Sequence, residues 1–216
     1  IGMSPAVLTE TVWALAHEKP AVIPDRVIVV TTTTGRTQIM NALFGQDRIW
    51  ESLRASVKAG SRLRFGQTQD DIRVFTTQDP KTGLSRELDD LRTAADNRAA
   101  ADFILEQLRA ITENPDIRMV ASLAGGRKTM GALLVSCMTL IGRETDRLTH
   151  VLVNDPYDLR LEPSFFFPGQ PVRTLKKGDG KTVRATDAVI ELADLPFVPL
   201  RNRFRDIGEF PGNFTA

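Results

Sequence analysis

The stretch SLAGGRKTMG, residues 122–131, places two glycines and two adjacent cations, Arg127 and Lys128, between an apolar run and a long apolar-periodic segment. Glycines let backbone N–H groups approach an anion closely, and a helix N-terminus carries roughly half a positive charge. Basic side chains in a helix's first turn are disfavoured by the macrodipole by roughly 0.3–1 kcal/mol, and a bound phosphate reverses that sign. The chemistry that these residue types could do is stabilisation of charge on a phosphate. A second reading remains open: a tight turn with both cations solvated.

The surrounding pattern says what would position them. Residues 5–18 read as a helix with Leu8, Val12 and Leu15 on one stripe, Pro5 in its first turn and Ser4 at its N-cap. DRVIVVTTTT, 25–34, has the β-branched character of a strand buried on both faces, and Gly35 is expected to end it. RTQIMNALFG and DRIWESLRASVKAG follow as helical segments, DIRVFTT (71–77) as a strand, and QDPKTGLS as a polar loop. A long helix is expected over 86–113 and a third strand over 116–124. Met130, Leu133, Leu134, Cys137, Met138 and Ile141 then define a helix over about 127–142, closed by Gly142. A strand at 147–155 follows, and strands alternating with helices imply an α/β, Rossmann-like, mostly parallel sheet with helices on both faces. Residues 156–186 break the rhythm as an irregular or hairpin insertion, and 188–201, with two prolines, suits an edge strand. The reading is one domain over 1–200 and a tail or linker over 201–216. No apolar strand precedes the first helix, so the natural chain is expected to start upstream of Ile1.

In open α/β sheets, ligands bind beyond the carboxyl ends of the strands. Four segments collect there: GMSP (2–5), TTTTGR (31–36), GGRKT (125–129) and NDP (154–156), each built from glycines, hydroxyls or cations. Bland readings exist for each. Ser4 could be only an N-cap, and the threonine run only strand propensity. His150 reads as a strand histidine, His17 as a solvent-facing helix end and Glu10 as surface. Phe165 to Phe167 read as cover for an apolar surface or as the lining of a pocket.

Composition narrows the classes. The net charge of the 216 residues is +1, so no global field attracts long nucleic acid, and any anion site is local. One cysteine and two histidines argue against disulfides and cysteine- or histidine-rich metal centres. No G-x-x-x-x-G-K-[ST] or G-x-G-x-x-G is present, which steers away from NTPases and dinucleotide oxidoreductases. No membrane-length apolar run or signal-like N-terminus is seen, and a cytoplasmic chain is expected.

Taken together, GMSPAVLTETVWAL, VIVVTTTTGR and SLAGGRKTMGALL…LIGRETDRLTHVLV resemble the CARF (CRISPR-associated Rossmann fold) proteins, and among them the ring-nuclease branch. The likeness runs from residue 1 to about 200. It implies a homodimer with cyclic tetra-adenylate lying across the two-fold axis. It implies that Ser4 positions or polarises the reacting phosphate and that Lys128 stabilises its charge. Gly125, Gly126, Arg127 and Thr129 would form the backbone cradle, and Thr33, Thr34, Gly35 and Arg36 the adenosine pocket. Met3, Pro5, Thr9 and Asn154 would complete the ligand contacts. No metal or other cofactor is expected.

The residue chemistry is compatible with that role. A ribose 2′-OH can attack its own 3′-phosphate without metal, because the nucleophile is tethered and only geometry and charge need to be supplied. With no strong base apparent, slow turnover is expected. Two alternatives stay open: a sensor that binds the ring without cutting it and regulates a fused or partner effector, and a nucleotide-binding structural protein unrelated to CRISPR. No R-x-x-x-x-H nuclease motif occurs after residue 200.

Overall fold

The computed structural model describes residues 2–66, 68–79, 81–205 and 213–214. The elements run in the order α1 (Ala6–Ala16), β1 (Val29–Thr31), α2 (Thr33–Phe44), α3 (Ile49–Ser56), β2 (Ile72–Val74), β3 (Thr76–Gln78), β4 (Ser85–Glu87) and α4 (Ala94–Thr112). They continue with β5 (Val120–Ser122), α5 (Lys128–Ile141), β6 (Arg147–Val153), β7 (Thr174–Lys176), β8 (Thr182–Arg184), β9 (Ile190–Asp194) and α6 (Arg201–Arg205). The α/β class expected from the alternating pattern is the one observed.

β1 pairs with β2 and β5 with β6, both in parallel, while β9 lies antiparallel on the outer side of β6. The two prolines after β9 fit that edge position, since proline cannot donate to a further strand. One core gathers α1, α2 and α3 around Leu8, Ile39, Trp50 and Phe65. Another packs α4 and α5 on β5 and β6 through Leu105, Met138 and Leu148. The insertion has its own small core of Tyr157, Phe165 and Leu175, and it carries the β7–β8 hairpin.

Several boundaries differ from the sequence reading, each for a physical reason. β1 is three residues long, and Thr33 and Thr34 belong to α2. Gly35 therefore does not end the strand; it lies in the helix's first turn, where its N–H donates to the Thr32 hydroxyl at 3.2 Å. The helix expected over 86–113 starts at Ala94, because Thr93 and Asp96 form a capping box. The residues before it pair instead as the antiparallel β3–β4 hairpin. The chain is docked where the tail was expected to begin: the N–H of Leu200, the last residue before it, donates to the Thr139 carbonyl, and Arg201, its first, donates to that of Thr112. Residues 206–212 and 215–216 of that tail lie outside the described residues.

At the amino ends of the strands, Arg143 fastens two loops. Its guanidinium donates to the Thr112, Asn114 and Ile117 carbonyls and to Asp146. Asp146, buried, also accepts from the Met119 and Arg143 N–H groups. The opposite, carboxyl ends are where the glycine-rich and threonine-rich junctions meet.

Candidate functional site

The loop 125–127 leaves β5 with both glycines at positive φ, +78° at Gly125 and +90° at Gly126. Side-chain-bearing residues rarely adopt such angles, so the sequence Gly-Gly is what permits this turn. The other strand-end loop comes directly against it. A Cβ placed on Gly2 would lie 2.8 Å from the Gly126 Cα, and one on Gly126 would lie 3.0 Å from the Met130 sulfur. The segment bearing Ser4 and the segment bearing Lys128 are thus in backbone contact. Beneath them the Thr11 and Ser122 hydroxyls lie 3.5 Å apart, and Ser122 accepts from the Ala124 N–H, which ties α1 to the end of β5.

Both helix N-termini at this contact lack a side-chain cap. Pro5, not Ser4, is the N-cap of α1, and no side chain caps that end. The Ser4 hydroxyl is therefore not consumed by its helix, and Ser4 and Met3 are exposed. Pro5 is buried under them. Arg127 is the N-cap of α5, again with no capping side chain, and Lys128 opens the helix. Lys128 and Thr129 are exposed, and no described residue pairs with the Lys128 ammonium. An exposed lysine at an uncapped helix start combines a full charge with unsatisfied N–H groups.

Two of the expected anion ligands are already engaged. Arg127 Nε donates to Asp90 Oδ1 at 2.7 Å, and its Nη2 to Asp90 Oδ2. The Arg127 guanidinium holds the Asp90 carboxyl well below the usual carboxylate range, with help from the Leu91 N–H and Arg92. Arg36 makes a matching fork to Glu87, with bonds of 2.8 and 2.7 Å. Hydrogen bonding to Glu87 raises the Arg36 pKa. Both carboxylates belong to β4 and the segment after it, so one stretch of chain holds the guanidinium groups of α2 and α5. Sequence reasoning missed Glu87 and Asp90. Nothing in RELDDLR distinguishes a partner carboxylate from a solvated one.

The remaining expected contacts divide. Thr33 and Thr34 sit at the start of α2, with Thr34 exposed and the Thr33 N–H donated to the Leu88 carbonyl. Asn154 is exposed at the end of β6, but its side-chain oxygen accepts from the Val189 N–H at 2.7 Å, closing the turn toward β9. Thr9 is a correction. It is fully buried, and its hydroxyl is directed to the Ala6 and Phe166 carbonyls at 2.8 and 2.7 Å, so it fastens the insertion to α1.

Glu10 is a second correction, since it is buried rather than surface. Its exposure is only 6%, and burial pushes its carboxyl up to about 7. Desolvation penalises the charged form, and no described group offsets it. Cys137, read as a small apolar residue, is buried in α5, and burial pushes its thiol up to about 12. His17 is exposed at the end of α1, stacked on Trp13. Among the described residues no three His, Cys, Asp or Glu side chains cluster as a metal site, and no helix is long and apolar enough to cross a membrane.

The arrangement at the strand ends can hold an anion at Lys128 and offer it a serine hydroxyl from the adjoining loop. With that geometry in view, residues 4–210 match the family model described as CRISPR-associated protein NE0113. The chain belongs to this CRISPR-associated family. The match spans both junctions, the insertion and all the strands. No curated protein matches the chain.

Proposed function

We propose that the chain is a ring nuclease of CRISPR antiviral defence, which binds cyclic tetra-adenylate and cuts it without metal. One observation carries the reading. Lys128, which has no partner among the described residues, stands at the uncapped start of α5, and the Gly126 loop before it meets, through the Gly2–Gly126 contact, the loop that presents Ser4. In the proposed reaction a ribose 2′-oxygen attacks the adjacent phosphorus, the P–O5′ bond breaks, and the 2′-OH proton leaves to solvent while the 5′-oxygen gains one. The products are a 2′,3′-cyclic phosphate and a free 5′-OH. Lys128 would neutralise charge on the pentavalent phosphorus, and Ser4 would hold or polarise a non-bridging oxygen. The enzyme's part is in-line geometry and charge, so turnover is slow.

A cyclic tetranucleotide has two-fold symmetry, and an isologous homodimer would present one Lys128 and one Ser4 to each of two opposite phosphates. Cutting at both gives linear di-adenylate.

The test is incubation with cyclic tetra-adenylate in EDTA beside Lys128→Ala, read by chromatography. Linear products from the wild type and at least about 100-fold less from the variant support the reading. Tight binding with the ring intact makes the protein a sensor instead.

A further inference from the structure

The glycine-rich turn ends in two adjacent cations, and the fold treats them differently. Arg127 is forked onto Asp90 through Nε and Nη2, while Lys128, one residue on, has no partner among the described residues. The Arg127 side chain is 52% exposed and that of Asp90 28%, and ion pairs so open to water contribute little to stability. Holding the fold together is therefore a poor account of this pair.

Asp90 is itself firmly placed. The Leu91 N–H donates to its Oδ1 at 2.8 Å, and Arg92 Nε to its Oδ2 at 3.2 Å. On either side of it, Leu88 and Leu91 are buried in the core that α4 and α5 share. The Leu88 N–H donates to the Phe75 carbonyl, and the Leu88 carbonyl accepts from the Thr33 N–H, so this stretch is fastened to the end of β2 and the start of α2. The turn that Asp90 grips has little stiffness of its own. Gly125 and Gly126 carry no side chains, and glycine gives up more backbone freedom on ordering than any other residue. Among the described residues, the fork is the one side-chain hydrogen-bonded anchor of residues 125–127.

We propose that Asp90 is a positioning residue that decides which of the two cations meets the phosphate: it withholds Arg127, fixes the turn, and leaves Lys128 to act alone. This inference rests on the reading of Lys128 as the cation that serves the reacting phosphate. Without Asp90, the Arg127 guanidinium at the N-cap of α5 would be free to grip a phosphate through two parallel bonds, as a lysine cannot. Such a grip would hold the ring without aligning the reacting bond. Binding that is equally strong in the ground and transition states does not speed the bound ring's cleavage.

The experiment compares the wild type with Asp90→Asn, Arg127→Ala and the double variant. Three quantities are read: affinity for cyclic tetra-adenylate over a salt series, single-turnover cleavage in EDTA, and NMR order parameters of the Gly125 and Gly126 amides without ligand. Asp90→Asn should bind the ring at least as tightly as the wild type, with a salt slope steeper by about 0.7 per chain from the freed Arg127. Its bound ring should be cut about tenfold more slowly or worse, because the turn is no longer fixed. The two glycine order parameters should fall from about 0.85 toward 0.6. Arg127→Ala should lose the rate but keep the wild-type slope, and the double variant should lose no more rate than either single one, since the pair acts as a unit. A merely structural Asp90 would lower Tm and leave the slope and the bound-ring rate in place, which overturns the inference, as does faster cleavage by Asp90→Asn. If the wild type binds the ring and leaves it intact, the ring-nuclease reading fails, while the salt slopes and the order parameters still decide the role of Asp90. Unchanged glycine order parameters in Asp90→Asn overturn that role whatever happens to the ring.

Discussion

The starts of α2 and α5 are two answers to the same problem. Each helix begins where a parallel strand ends, and each has an arginine in or beside its first turn. At α2 the Thr32 hydroxyl accepts from the Gly35 N–H, the Thr33 N–H donates to Leu88, and Arg36 is forked onto Glu87. That junction is internally satisfied. At α5 Arg127 is likewise matched, by Asp90, yet the helix has no side-chain cap, its two glycines are held at positive φ, and Lys128 has no partner among the described residues. The comparison teaches that a cationic strand-to-helix turn is not in itself an anion site. What matters is which donors remain after the protein has used its own acceptors.

The strongest way to break this comparison is to remove one cation from each junction. Lys128→Ala should lower cleavage of cyclic tetra-adenylate about 100-fold or more with little change in Tm. Arg36→Ala should lower it by less than about threefold. Equal losses in single-turnover assays would show that the α2 junction is no less functional than α5.

The next prediction separates the open junction from the buried carboxyl about one turn along α1. Glu10 is raised from 4.5 in the unfolded chain to about 7 in the fold, so between those values the unfolded state releases its proton and the folded state keeps it. Stability is therefore full below about pH 4.5, falls as pH rises to about 7, and is level above, with a total near roughly 3 kcal/mol. Glu10→Gln should flatten that part of the stability curve in urea unfolding at a series of pH values. Its cleavage rate should follow wild type across the same range. A rate profile that loses an inflection near pH 7 would instead bring Glu10 into the chemistry.

The smallest effect belongs to the satisfied junction. Thr32→Ala removes the cap of α2 and should cost about 1 kcal/mol in denaturant unfolding while leaving ligand affinity unchanged. An affinity loss larger than the stability loss would place a ligand at α2 after all.

Much of this was legible in the residues. The 3.6-residue stripe from Met130 to Ile141 located α5 to within a residue at each end, because a two-sided apolar helix has few other readings. The β-branched run 25–34 gave the strand but not its end, since threonine serves both a strand and a helix cap. The alanines at 94–95 and 99–101 announced α4 but not its first residue, which the Thr93–Asp96 capping box decides. For the site, the glycines and Lys128 stood out by type and spacing. The partners Asp90 and Glu87 did not, because an ion pair between segments far apart in sequence leaves no local pattern. Glu10 was missed for a related reason. Its burial comes from its neighbours in the fold, and nothing in LTETV announces them.

The two carboxylates of β4 and the segment after it have a further consequence for how the protein would respond to salt. With Arg36 and Arg127 each balanced by Glu87 and Asp90, the two junctions leave, among the described residues, about one uncompensated positive charge per chain, that of Lys128. Binding of an oligoadenylate would then release few condensed counterions. The logarithm of affinity should fall against the logarithm of salt with a slope of roughly −0.7 per chain, rather than the roughly threefold steeper slope of three free cations.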